Sequence, residues 1–201
     1  MKKDTFWNLP NSLTVLRIAL VPVMVALLWW DPNQAGEPER WLCIVTMSIF
    51  VGAMITDIVD GYLARKWGME SVAGAFLDPL ADKLMVVTVL IMCVPLNWLP
   101  AWLVALLVCR ELTITGLRTI AVAEGLVLSA SVLGKFKTAT QATALGFLLW
   151  HHDTNLFWMV PVNAHACGVL LMYLATFFSL WSAGAYLNQF FKHARLTAKL
   201  N

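Results

Sequence analysis

Four aspartates stand where aspartates are costly. Asp57 and Asp60 fall near the end of one apolar run, Asp78 and Asp82 near the start of the next. An ionisable side chain inside a membrane-spanning segment is expensive and is generally kept for function. Asp57, Asp60, Gly61 and Ala64 recur at i, i+3, i+4 and i+7, one face of a helix. Gly74, Asp78 and Asp82 are spaced by four, again one face, and the short link carrying Arg65 and Lys66 brings the two pairs together. Four facing carboxylates repel strongly in a low dielectric, and divalent cations relieve that repulsion. Hard oxygen donors favour Mg²⁺, Mn²⁺ or Ca²⁺, and two ions are the natural complement of four aspartates. Gly61, Ala64 and Gly74 leave room on the same faces for a bulky ligand, and Arg65 is placed to meet a phosphate. Two other readings compete: aspartates that cap helix ends, and a divalent-metal pathway. The pathway requires polar residues right across the bilayer, whereas here the acids gather at one end of their spans.

A second set of chemistry-bearing residues is cationic. Arg110 and Arg118 lie in Arg110-Glu111-Leu112-Thr113-Ile114-Thr115-Gly116-Leu117-Arg118; eight residues apart, they stand about 80° apart around a helix, within reach of one pocket. Lys135 opens the run Gly134-Lys135-Phe136-Lys137-Thr138-Ala139-Thr140-Gln141. Three converging cations suit a substrate that carries its own phosphate; the alternative is cations that anchor the bundle at headgroup level. Arg110, beside Glu111, can equally be half of an internal ion pair. Arg17 either pairs with an acid at the aspartate site or reaches the membrane interface. Glu111 and Glu124 stay open, with Glu124 beside Gly125 reading more as a helix end. The four cysteines have no CxxC or Cys/His spacing and read as small buried hydrophobes. The four histidines form no HExxH pattern.

The elements that must position these groups follow from composition. The chain has 201 residues, 60% hydrophobic and 13% charged, against about 25% charged in soluble domains. Its mean hydropathy is +0.72. Lipid is therefore the solvent for much of the surface, and a net charge of +2 gives no argument for a nucleic-acid partner. A spanning helix needs about 20 mostly apolar residues. The expected fold is an all-α integral membrane protein, one domain over residues 1–201. Its six transmembrane helices are expected near Ser12–Trp30, Trp41–Arg65, Leu77–Val94, Trp98–Ala121, Val132–Trp150 and Ala166–Phe191. Residues 1–11 read as a short interfacial segment or a frayed tail, and 192–201 as a tail. No signal-peptide cleavage pattern is evident at the N-terminus. With an even number of spans both termini share a side. That side holds Lys2, Lys3, Arg65, Lys66, Lys135, Lys137, Lys192, Arg195 and Lys199, while the opposite loops offer essentially Arg40. Both termini and the aspartates are thus expected on the cytoplasmic face. Trp7, Trp29, Trp30, Trp98, Trp102, Trp150 and Trp158 fall near span ends, as an interfacial belt does.

Written out, the acidic stretch is Asp57-x2-Asp60-Gly61-x2-Ala64-Arg65-x8-Gly74-x3-Asp78-x3-Asp82. It resembles, without a departure, the signature of the CDP-alcohol phosphotransferases. The resemblance implies six spans, a homodimer and two divalent cations, Mg²⁺ or Mn²⁺: Asp57, Asp60 and Asp78 on one, Asp57, Asp78 and Asp82 on the other. It places Asp60, Gly61, Arg65 and Gly74 along the cytidine diphosphate of a CDP-diacylglycerol donor and makes Asp82 the acceptor of the alcohol's proton. One physical reservation attaches to Asp82: nearby cations lower an aspartate's pKa and make it a weak base, so its role can equally be that of a ligand. No Ser/His or Cys/His pair suggests a covalent intermediate, so direct transfer is expected. The segments around Arg110, Arg118 and Lys135, with the lead-in Asn8-Leu9-Pro10-Asn11-Ser12-Leu13-Thr14-Val15-Leu16-Arg17, are similar to those of family members that use glycerol 3-phosphate. That resemblance, from Asn8 to Gln141, implies glycerol 3-phosphate bound by Arg110, Arg118 and Lys135, in a bacterial cytoplasmic membrane. Other alcohols, giving cardiolipin or inositol phosphate lipids, are the alternative.

Overall fold

Long apolar runs in lipid become helices because only a helix satisfies every backbone group within one segment. The computed structural model describes residues 9–30, 38–67, 72–123, 132–156 and 160–197. Among these there are six α-helices: α1 (Leu9–Trp29), α2 (Arg40–Trp67), α3 (Val72–Met92), α4 (Ala101–Ala123), α5 (Val132–Trp150) and α6 (Ala164–Thr197). Each coincides with an expected span. α6 continues past Phe191 into the stretch read as a tail, and α1 begins at Leu9, inside the stretch read as interfacial. The rest of that lead segment lies outside the described residues.

Local chemistry sets the helix ends. The Pro100 carbonyl accepts the first turn of α4 from Leu103 and Val104, and α6 starts where Asn163 Oδ1 accepts the Ala166 N–H at 2.7 Å, an N-cap. After α5 the chain turns through His151, at φ 57°, whose N–H donates to the Phe147 carbonyl at 3.0 Å, closing the helix with a left-handed residue. Between α5 and α6 the chain forms a small antiparallel ribbon, β1 (Thr154–Leu156) against β2 (Val160–Val162). No expected span covers this stretch.

Among the described residues three helices are long and apolar enough to cross a membrane: Asn11–Trp29, Arg40–Tyr62 and Ala164–Lys192, with mean hydropathies of 2.1, 2.2 and 1.7. The protein is a membrane protein on that basis. In α3, Asp78, Asp82 and Lys83 break the apolar run. In α4, Arg110, Glu111 and Arg118 break the apolar run. Asp78, Asp82, Arg110 and Arg118 among these charges are candidate site residues themselves.

The core runs through the middle of the bundle, from Met24 and Leu28 on α1 through Phe50, Met85, Val89 and Leu103 to Leu145, Leu148 and Met172. α5 and α6 make the most extensive helix pair, α1 packs on both α2 and α3, and α2 reaches α5. Large apolar side chains such as Leu16, Leu112, Leu170, Phe177 and Trp181 stay exposed on the outside, as a lipid-facing surface requires.

Candidate active site

The site begins at α1. Arg17 is the only charged residue of that helix, and its side chain is 1% exposed. Its Nη1 donates to Asp57 Oδ1 at 2.7 Å and its Nη2 to Asp60 Oδ2 at 2.9 Å. The choice left open by the sequence is therefore decided: Arg17 pairs with the aspartates. A buried guanidinium needs such partners, since an unpaired charge in a low dielectric is strongly unfavourable. The two carboxylates lie one turn apart on α2, as their spacing predicted. Asp60 is buried, whereas Asp57 is 36% exposed and borders a large cavity. A Cβ added at Gly61 would meet nothing within 4 Å.

The cavity has a volume of about 1780 Å³, beyond the roughly 300–1,000 Å³ of an ordinary small-molecule pocket. One end is charged, bordered by Asp57, Lys83, Arg110, Glu111, Arg118 and Lys137. The other is apolar, bordered by Met47, Phe50 and Val51 of α2 and by Gly146, Phe147 and Trp150 of α5. From Lys137 to Trp150 the wall runs about 20 Å along α5, two thirds of a hydrocarbon core of about 30 Å. A ligand with a phosphorylated head and hydrocarbon tails matches both ends.

Within the charged end Glu111 is a hub. Its Oε2 accepts from Lys137 Nζ at 2.6 Å and from Arg110 Nη1 at 3.1 Å. Arg110 also donates from Nη2 to Ser182 Oγ at 2.6 Å and from Nε to the Ser179 carbonyl at 3.1 Å. Three of its donor positions are thus engaged by the protein, which realises the internal ion pair left open above and ties α4 to α6. Lys83 Nζ donates to Thr115 Oγ1. Arg118 is exposed and borders the same cavity.

Lys83 and Lys137 were not singled out by the sequence reading. Lys83 adjoins the last signature aspartate and Lys137 lies two residues from Lys135, so the available signal was simply a cation on a membrane-embedded helix. Asp78 and Asp82 fall on α3, Arg65 on α2 and Lys135 on α5. The side chains of all four, the surroundings of Gly74, and Glu124 lie outside the described residues.

Asp57, the charged end and the apolar arm border one cavity. The family model described as CDP-alcohol phosphatidyltransferase matches residues 7–181. The chain belongs to this family. Among relatives within the CDP-alcohol phosphatidyltransferases, a CDP-diacylglycerol–glycerol-3-phosphate 3-phosphatidyltransferase of Bacillus subtilis is 39% identical over 91% of this chain and 95% of its own length. A chloroplastic/mitochondrial protein of the same name from Arabidopsis thaliana is 40% identical over 92% of this chain, which spans 63% of that protein's length. A cardiolipin synthase (CMP-forming) of Oryza sativa is 34% identical over 92% of this chain and 58% of its own length.

Proposed function

We propose that this chain transfers the phosphatidyl group of CDP-diacylglycerol to glycerol 3-phosphate, releasing CMP and forming phosphatidylglycerol phosphate. The observation that carries this reading is the single cavity in which Asp57, a cationic cluster and an apolar arm are continuous. The relatives named for this reaction support the choice of donor and acceptor.

In this reading the apolar walls of α2 and α5 hold the acyl chains and leave the diphosphate beside Asp57. Arg118 and Lys137 bind the acceptor's phosphate, and Glu111 and Arg110 keep that cluster in place. The acceptor hydroxyl attacks the β-phosphorus, the bond to CMP breaks, and Asp82 takes the hydroxyl proton. Asp57, Asp60, Asp78 and Asp82 are a hard-oxygen donor set that fits two Mg²⁺ or Mn²⁺ ions. The chemistry such ions supply when bound is neutralisation of the diphosphate and of the departing CMP. We further read the protein as six spans with both termini on the cytoplasmic side of a bacterial inner membrane, from its lysine and arginine bias. A homodimer is what the family resemblance implies.

The rice relative keeps cardiolipin synthesis as the second reading. The test is CMP release by purified protein in detergent with CDP-diacylglycerol, Mg²⁺ or Mn²⁺, and one alcohol at a time. Release with glycerol 3-phosphate alone is expected. Release with phosphatidylglycerol or inositol phosphate instead would keep the aspartate chemistry and overturn the acceptor. In the same assay Asp57→Ala should lose more than about 100-fold in rate while still inserting, since disturbing even a partner of a metal ligand can cost that much.

A further inference from the structure

Arg17 is, among the described residues, a buried charged group that the reaction scheme leaves without a task. It approaches the two α2 aspartates from the protein side: it is 1% exposed, whereas Asp57 is 36% exposed and borders the cavity. One guanidinium fork spans both carboxylates, Nη1 on Asp57 Oδ1 and Nη2 on Asp60 Oδ2. Its Nε is buried without a hydrogen-bond partner among the described residues, so the side chain is held by this double pairing. The polar residues Asn11 and Thr14, at spacings of three along α1, are buried with it. The stripe therefore faces into the bundle, where a lone ion pair would be poorly compensated.

We propose that Arg17 is a positioning residue for divalent-cation binding. By occupying one oxygen of each aspartate it fixes both carboxylate rotamers. It also offsets their mutual repulsion, so the ligand pair is already assembled before a cation arrives. A planar fork does this for two carboxylates at once; a lysine ammonium, as a point charge, does not. The inference rests on the two-cation reading above and adds to it a sign that separates two roles. If Arg17 only added positive charge near the site, it would compete with a cation, and its removal would tighten binding. If it orients the ligands, its removal weakens binding.

The experiment measures Mn²⁺ binding to the full-length protein in detergent by electron paramagnetic resonance, for the wild type, Arg17→Met and Arg17→Lys. Thermal midpoints are recorded in EDTA and in saturating Mn²⁺. Arg17→Met is expected to weaken Mn²⁺ binding by roughly 10–100-fold, the range seen when outer-shell partners of metal ligands are lost, and Arg17→Lys by less. The rise in midpoint on adding Mn²⁺ should shrink in both variants. A merely structural role would lower both midpoints equally and leave that rise intact, which overturns the proposal, as does unchanged or tighter Mn²⁺ binding. If Arg17→Met does not fold, Arg17→Lys alone carries the same sign test. A wild type that binds no Mn²⁺ would instead overturn the two-cation reading itself.

Discussion

The two faces of α5 serve opposite ends. One face carries Ala144, Leu145, Leu148 and Leu149, all fully buried, and α6 lies directly on it. A Cβ added at Gly168 of α6 would sit 2.8 Å from Leu148 Cγ and 3.1 Å from the Ala144 carbonyl oxygen, so that glycine is required by the approach of the two backbones. The other face carries Thr138, Ala139, Ala142, Thr143 and Gly146 along the cavity, and a Cβ at Gly146 would meet nothing within 4 Å. Lipid gives helices little hydrophobic reason to associate, so close packing of small residues must supply it. The α5–α6 seam is therefore the scaffold, and small residues on the opposite face keep a space open for ligand.

The sharpest way to break this distinction is Gly168→Leu. Its side chain cannot enter without parting α5 from α6, and overpacking of this kind costs about 1–3 kcal/mol or more. Loss of the folded, monodisperse protein in detergent, or a large fall in thermal midpoint, is the expected result. An unchanged midpoint would mean that the seam is not the scaffold.

Lys137→Met tests the cavity face at its charged end. Lys137 is 8% exposed and lies 2.6 Å from Glu111 Oε2; Glu111 keeps Arg110 at 3.1 Å when the lysine is gone. Folding should persist. Hydrogen bonds to charged groups contribute about 1.5–3 kcal/mol, and each 1.4 kcal/mol is about tenfold. The glycerol 3-phosphate requirement should therefore rise roughly 10–100-fold, with that for CDP-diacylglycerol little changed. A rise in the donor requirement instead would move Lys137 out of the acceptor end.

The contrast between the faces also marks what a sequence can carry. The aspartate pair on α2 was legible because charge in lipid is costly enough to single out each residue, and the i, i+3 spacing put both on one face. The described helices were legible as apolar runs, those of α3 and α4 interrupted by charged residues. Arg17 was legible only as a choice, because its partners lie 40 and 43 residues away and only the packing of α1 on α2 joins them. Glu111 was likewise ambiguous until α5 brought Lys137 to it. Residues 135 and 137 point about 200° apart on a helix, and periodicity does not say which of the two faces the cavity. The β1–β2 ribbon was invisible for another reason: two strands of three residues are too short for alternation to register. Gly146 and Gly168 looked alike in sequence, since what a glycine is for depends on the neighbouring backbone.

Those two glycines supply the smallest and most diagnostic effects. Gly146→Ala adds a methyl group to open space in a helix interior, where glycine costs about 0.5–1 kcal/mol relative to alanine. The thermal midpoint should rise slightly, and turnover should stay near wild type. Gly146→Leu occupies the space the acyl chains need, so it should raise the CDP-diacylglycerol requirement several-fold while leaving that for glycerol 3-phosphate unaltered. CMP-release kinetics with each substrate varied in turn separate these outcomes. Should Gly146→Leu leave donor kinetics untouched while Gly146→Ala stabilises, the apolar arm is a lipid-facing groove of the bundle, and the donor's chains lie elsewhere. Should Gly146→Ala destabilise, α5 has a second packed face and the cavity closes in solution.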